Sequence, residues 1–466
     1  MENMENMDFE AIHERQFDEL FELLSNRRMK ELKSILEDMN EFDIAEFVAE
    51  LDESMMPVVF RLLPKGMAAD VFANFDSPEQ ELIINSITDS ELGAIIEELY
   101  VDDAVDMMEE LPANVVKRVM RTATPETRNI INQYLKYQEN SAGSIMTAEF
   151  VDLKKYMNVK EAIARIRRIG EDKETIYTCF VTSADRKLEG VVSVKDLLLS
   201  KDETVVEDIM DTNVVFAMTN DDQEEVAEKI SDYDLMAIPV VDKEGRLVGI
   251  VTVDDVIDVM EQETTEDFEI MAAMTPSDKP YSRTGAFEMW SHRVPWLLFL
   301  MISATFTTMI LNSFENALAA QAVLIGFIPV IMGTGGNSGA QASTAVIRSI
   351  SLGDTEPSDV LRVMWKELRV AVLCGLTLAI VNFGKMLLVD NMLLGNPDVD
   401  YSIAAVVSLA IVFTVLFAKA VGSFLPMLAE KIGLDPAVVA TPLITTISDA
   451  VSLLIYLEIA KVFLHI

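Results

Sequence analysis

Apolar and polar positions change rhythm twice along this chain. Between Phe17 and Asn140 apolar residues recur at three- and four-residue spacing, as in LFELLSNRRMKELKSILEDM, with breaks at Pro64, Pro78, Pro112 and Pro125. That period predicts helices only. A weak repeat, DIAEFVAEL at Asp43–Leu51 and DAVDMMEEL at Asp103–Leu111, predicts a superhelix of stacked short helices. From residue 141 the pattern turns to alternation. GSIMT (Gly143–Thr147) matches EDIMD (Glu207–Asp211), and CFVTSADRKLEGVVSVKDLL (Cys179–Leu198) matches IPVVDKEGRLVGIVTVDDVI (Ile238–Ile257). Each copy predicts strand, helix, strand, turn, strand, helix.

Five apolar runs close the chain: Val294–Phe314, Ala317–Met332, Val370–Val389, Ile403–Leu428 and Ala437–Leu464. Their lengths predict membrane spans. The expected fold class is therefore a multidomain membrane protein: an all-α superhelical N-domain (1–140), an α/β tandem pair (141–260, copies 141–203 and 204–260), an acidic linking helix (261–290) and a five-span helical membrane domain (291–466). The second run is short and breaks at GTGGNSG, Gly333–Gly339. Irregular backbone at membrane depth persists only where protein or a water-filled cavity satisfies it. The sequence thus predicts a glycine loop beside a pore, with Asn337 and Gln341 as supporting polar groups.

Asp449 lies inside the last run, flanked by Thr445, Thr446 and Ser448. An intramembrane carboxylate is costly unless it meets water, a partner or an ion, so it marks an ion or proton path.

Charge sharpens the division. Of a net −40, the residues from Arg283 onward hold 10 Lys and Arg against 13 Asp and Glu (net −3), leaving 27 against 64 (net −37) in the first 282. Such a field attracts cations and repels nucleic acid. Asp254, Asp255, Asp258, Glu261, Glu263, Glu266 and Asp267 crowd one helical stretch. Either that is a solvated acidic face, or divalent cations bridge it to another acidic surface; like charges at such spacing destabilise a bare helix. The two cysteines and three histidines are too scattered for a disulfide framework or a zinc site. Arg348, Arg362, Lys366 and Arg369 follow the second run, whereas Asp390, Asp398 and Asp400 follow the third. The positive-inside rule then places the N-terminus in the cytoplasm and the C-terminus outside.

With those parts in order, the repeated strand pattern resembles tandem cystathionine β-synthase-type (CBS) domains. The whole chain from Phe17 to Leu464 resembles the MgtE family of magnesium channels. The most specific residues are RVPWLL (Arg293–Leu298), GTGGNSGAQ (Gly333–Gln341), GLDPAVV (Gly433–Val439) and TPLITTISD (Thr441–Asp449). The departure is Ala340, where the family often carries a polar residue. The resemblance implies a homodimer in membrane lipid with the pore on its two-fold axis, and Asp449 as main ligand of a hydrated Mg2+. Backbone near Thr445 and Gly333 or Gly336 would assist. It also implies regulatory Mg2+ held by Asp255 and Asp258, by Glu266 and Asp267 on a plug helix, and by Asp222, Glu224 and Asp234 in the second CBS copy. Those ions would keep the pore closed. In the N-domain, Asp103 is a further candidate ligand. Adenosine nucleotide at the CBS pair follows from fold analogy only.

Three other readings stand beside the magnesium channel. One is a broader Co2+ or Mn2+ transporter, although softer metals favour His or Cys and the spans offer only Cys374. Another is a membrane-anchored CBS sensor, which has no need of Asp449. An intramembrane enzyme lacks its motifs: no HExxH or GxSxG is present.

Overall fold

The computed structural model describes residues 9–277, 281, 284–439 and 441–465. It divides into two compact units, Met1–Met260 and Glu261–Ile466. The first begins with ten helices: α1 (Phe9–Ser25), α2 (Met29–Leu36), α3 (Glu41–Ala49), α4 (Met56–Phe60), α5 (Lys65–Ala73), α6 (Ser77–Ser86), α7 (Asp89–Glu98), α8 (Val101–Glu110), α9 (Ala113–Thr122) and α10 (Pro125–Tyr134). Their starts follow local chemistry. The Asn40 side chain accepts from Phe42 N at α3, and Thr88 and Glu91 form a reciprocal capping box at α7. Prolines occupy the first turns of α4, α6 and α10, where no backbone donor is missed. From α3 to α8 each helix stacks on the one two places along: α3 on α5, α5 on α7, α7 on α9, and α4 on α6, α6 on α8, α8 on α10. The stack buries one continuous core including Leu20, Phe47, Phe72, Ile84 and Ile96.

Two three-stranded sheets follow. In the first, β1 (Asp152–Leu153) runs parallel to β2 (Thr178–Thr182), which pairs antiparallel with β3 (Leu188–Ser193). Helix α11 (Val159–Ile169) links β1 to β2, and α12 (Val194–Leu199) follows β3. The second repeats this order with β4 (Ala217–Met218), α13 (Gln223–Asp232), β5 (Ala237–Val241), β6 (Leu247–Thr252) and α14 (Val253–Met271). The alternation read in the sequence is thus a repeated CBS-type unit. Both hairpin turns need a left-handed residue: Gly245 at φ 77° in the second, Arg186 at φ 63° in the first.

The acidic linking helix differs from its expected extent of 261–290. It begins at Val253, continuous with the last CBS helix, and stops at Met271. Ala273 then takes φ 54° and Pro276 follows, which together end helical hydrogen bonding. Residues 278–280 and 282–283 of the expected stretch lie outside the described residues, and a new helix starts at Ala286.

The second unit carries five helices long and apolar enough to cross a membrane: Ala286–Ser313, Ala322–Ser351, Pro357–Leu393, Tyr401–Lys431 and Pro436–Leu464. Their regular cores are α15 (Ala286–Ser303) with α16 (Thr305–Ser313), then, beyond the short α17 (Glu315–Ala320), α18 (Ile328–Ser351), α19 (Val360–Lys385), α20 (Tyr401–Lys431) and α21 (Thr441–Leu464). Helices α18, α19 and α21 all pack on α20.

The glycine loop expected at Gly333–Gly339 is a correction. Those residues lie inside the continuous helix α18. Helical glycine costs roughly 1 kcal/mol relative to alanine, but here the missing side chains let helices touch. A Cβ on Gly335 would stand 2.3 Å from Ser452 Oγ, and one on Gly422 of α20 would stand 2.3 Å from Gly339 O. Close packing of backbone on backbone is what holds membrane helices together.

One buried ion pair ties α19 to α20. Lys419 Nζ lies 3.5 Å from Glu367 Oε2, with side-chain exposures of 6% and 14%. Removing one partner strands the other charge, at a cost of about 3 kcal/mol. Lys419→Met should therefore lower the thermal unfolding midpoint of the detergent-solubilised protein markedly. The double change Lys419→Met/Glu367→Leu should restore most of it.

Candidate ion path and acidic interface

In the membrane unit Asp449 projects from α21 towards the glycine face of α18. Its Oδ1 is 3.5 Å from where a Cβ on Gly336 would lie, and Thr445 Cγ2 is 2.9 Å from the same point. Asp449 is half-buried, and among the described residues no Lys, Arg or His forms an ion pair with it. Thr446 is occupied otherwise, its hydroxyl donating to Pro442 O at 2.9 Å. Gly333, Asn337, Gln341 and Arg348 are all exposed on α18 at spacings of four, four and seven residues. That spacing lines one side of a helix. The same helix therefore turns small residues to α20 and α21 and a polar stripe away from them. Gly336→Ala should push Thr445 and crowd Asp449; uptake by that variant should fall, but less than when the carboxylate itself is lost.

Sequence reasoning passed over a second carboxylate on α21, Glu458. It is exposed, beside Phe413, Phe417 and Ile455. Nine residues from Asp449, it points to the opposite side of the helix.

The first unit brings a different set together. Asp102, Asp103 and Asp106 sit on α8, against Glu149, Glu174 and Asp255 of the CBS pair. Burial, then neighbouring negative charge, pushes the Asp103 carboxyl up to about 6 and those of Asp106 and Glu174 up to about 7. Asp102 is raised well above the usual range by the same causes. Asp255 is raised chiefly by burial, although Thr252 Oγ1 donates to its Oδ2 at 2.5 Å. Among the described residues the buried oxygens Asp102 Oδ1 and Glu174 Oε2 have no hydrogen-bond partner. An all-carboxylate set with orphaned buried oxygens suits a hard divalent cation such as Mg2+. Of this set the sequence had pointed only to Asp255 and, as a candidate, to Asp103; Asp102, Asp106, Glu149 and Glu174 were missed, because only the tertiary pairing of α8 with the CBS edge brings these acids together.

Raised carboxylates bind more protons folded than unfolded, so their contribution is full below the ordinary range near 4 and is lost as pH climbs to about 7. Metal-free protein should accordingly lose resistance to proteolysis between α10 and the CBS pair as pH rises from about 4 to 7. Millimolar Mg2+ should flatten that dependence.

The remaining sequence candidates are placed as follows. Asp222 is exposed and caps α13, accepting from Glu224 N at 2.9 Å. Asp234 is exposed at φ 50° just beyond that helix. Asp258 is exposed on α14, while Glu266 and Asp267 are half-buried further along it. Asp267 is raised by burial and by Asp435, and Ser351 Oγ donates to its Oδ2 at 3.4 Å. Among the described residues no three His, Cys, Asp or Glu side chains are positioned to hold one metal ion. The side chains as placed are an unclosed set of donors.

Comparison with known proteins decides the family. Profiles described as an MgtE divalent cation transporter, an MgtE intracellular N domain and CBS domains match residues 328–459, 39–140, and 142–202 with 206–262. A magnesium transporter MgtE of Thermus thermophilus is 38% identical over 450 residues, 96% of this chain and 98% of the relative. The chain belongs to the MgtE family. A Bacillus subtilis magnesium transporter MgtE is 30% identical over 95% of this chain and 96% of its own length. A crystal structure of the soluble part of a magnesium transporter aligns with a TM-score of 0.52 at 32% identity, covering 54% of this chain and 99% of that one. MgtE proteins are transporters, not enzymes, and with five apolar helices this MgtE chain is a multi-pass membrane protein.

Proposed function

We propose that this chain is a homodimeric magnesium channel whose pore is lined by Asp449 and closed by cytoplasmic Mg2+. The observation that carries the reading is Asp449 itself, a carboxylate within a membrane helix with no cationic partner among the described residues, next to a glycine face and a polar stripe. A lone carboxylate at that depth needs a neutralising ion. Mg2+ sheds water reluctantly and is best recognised hydrated, by a few spaced oxygens. Two symmetry-related Asp449 side chains, with Asn337 and the backbone near Gly333, Gly336 and Thr445, would supply them. A second copy is also favoured by exposed apolar side chains on α12 and α14, namely Leu198, Leu199, Ile257 and Met260.

Closure would draw on the cytoplasmic carboxylates. Mg2+ among Asp103, Asp106, Glu174 and Asp255 would fasten the N-domain to the CBS pair. Asp222, Glu224, Asp234, Asp258, Glu266 and Asp267 would hold further ions as α14 docks as a plug. On magnesium depletion, repulsion within this acidic assembly would release the plug, giving negative feedback on import. The loop charges support a cytoplasmic N-terminus and an external C-terminus.

The test is uptake in cells lacking their own importers. The native chain should take up Mg2+ until internal Mg2+ rises, and Asp255→Ala/Asp258→Ala/Asp267→Ala should keep importing. Uptake of Co2+ or Mn2+ in preference to Mg2+ would favour the broader transporter. A well-inserted native chain that moves no divalent ion would leave the sensor reading.

A further inference from the structure

We propose that the start of α19 binds an anionic glycerophospholipid, its phosphate held by Arg362, Lys366 and Arg369 and an acyl chain lying along Leu361, Trp365 and Leu368. The two rows follow from helix geometry. Residues 362, 366 and 369 recur at four and three, and so do 361, 365 and 368. Such spacing lines side chains up along a helix. All six are exposed, Leu361 at 80% and Trp365 at 61%. The other side of α19 is occupied. Glu367 pairs with Lys419 of α20, a Cβ on Gly375 would stand 3.3 Å from Val412 Cα, and Ala371 and Ala379 are buried. Glu367, the one acid between Arg362 and Arg369, is therefore turned inward. Among the described residues none of the three cations forms an ion pair. In a chain with 77 acidic and 37 basic residues, three cations within one helical stretch and without a carboxylate call for an anion from outside.

A separate observation joins the rows. Arg369 lies over the Trp365 ring, Cζ 5.9 Å from its centroid, and donates from Nε to Trp365 O at 3.4 Å. A guanidinium stacked on an indole sets a cation directly against apolar surface. Tryptophan favours the level where headgroups meet hydrocarbon, and the span that holds α19 begins at Pro357, just before these residues. Cations attract anionic lipid at that level. Leu373 and Leu376, also exposed, carry the apolar surface on. From Leu361 to Leu376 is about 22 Å of helix, more than half of a hydrocarbon core of about 30 Å. An acidic protein surface is the other partner that three cations could take. It would meet the charges yet leave no role for Leu361, Trp365 and Leu368, so the apolar row favours lipid.

Native mass spectrometry of the full chain, released from detergent micelles with added lipid, tests this. Phosphatidylglycerol should be retained at a concentration at least tenfold below that needed for phosphatidylcholine of the same chains. Arg362→Gln/Lys366→Gln should weaken phosphatidylglycerol retention at least fivefold. Arg293→Gln/Lys431→Gln, which removes two exposed cations from α15 and α20, should leave it unchanged. Glycerol 1-phosphate in tenfold excess should not displace the lipid. Equal retention of the two lipids by the native chain, unchanged retention in the α19 variant, or equal weakening by both double variants would overturn the proposal. Displacement by glycerol 1-phosphate would overturn it too, by assigning the cations to a soluble phosphate.

Discussion

Asp449→Ala should abolish magnesium uptake while leaving the protein folded and inserted. The side chain is half-buried and makes no ion pair among the described residues, so its removal strands no partner charge. A purely structural carboxylate would behave differently: truncating it would leave an orphaned donor or cation and lower stability. Loss of transport without loss of stability separates the two roles. Asp449→Asn sharpens the test, because it keeps size and hydrogen bonding but removes the charge that offsets a divalent ion. Uptake by Asp449→Asn should be close to that of the alanine variant. Asp449→Glu keeps the charge, yet its longer chain must fit beside Gly336 and Thr445, so partial uptake is expected. Full uptake by a well-expressed Asp449→Ala protein would remove the pore assignment at its centre.

What could be read from the sequence follows the range of the interactions involved. Apolar runs are local, and all five spans were visible in them. Strand alternation around Cys179–Leu198 and Ile238–Ile257 is also local, and it located both CBS sheets. Asp449 stood out because a carboxylate conflicts with its surroundings over a few residues. The glycine segment misled for the opposite reason. Its local propensity is against helix, and only contact with Ser452, Thr445 and Gly422 makes a helix the better answer. Asp102, Asp106, Glu149 and Glu174 were invisible as a group, since each resembles any other acid in a highly acidic chain. Lys419 and Glu367 were equally silent until two helices brought them together.

The acidic interface leads to the second large effect. Asp103→Asn/Asp106→Asn/Asp255→Asn should make both the cytoplasmic assembly and uptake insensitive to internal Mg2+. In the native chain Asp103 and Asp255 are partly buried and Asp106 reaches the surface beside them; burial and one another's field push Asp103 up to about 6 and Asp106 up to about 7. At neutral pH without cations they repel; Mg2+ held among them, as proposed, would turn that repulsion into attraction. Amides of the same shape remove both terms, so the difference between the two states disappears. A ligand moves a conformational equilibrium only by its differential affinity for the two states. Taking away the oxygens proposed to hold Mg2+ would remove that differential, and the Mg2+ concentration for half-protection from proteolysis should rise at least about tenfold or cease to be measurable. Neutralising Asp89, which already pairs with Arg118 and Arg121, provides the control. It removes one negative charge from the same domain but none from the interface, and it should leave the Mg2+ response in place. If the Asn variant responded to Mg2+ as the native chain does, the α8 carboxylates would be no part of the gate, and closure would have to depend on the exposed acids of α13 and α14 alone.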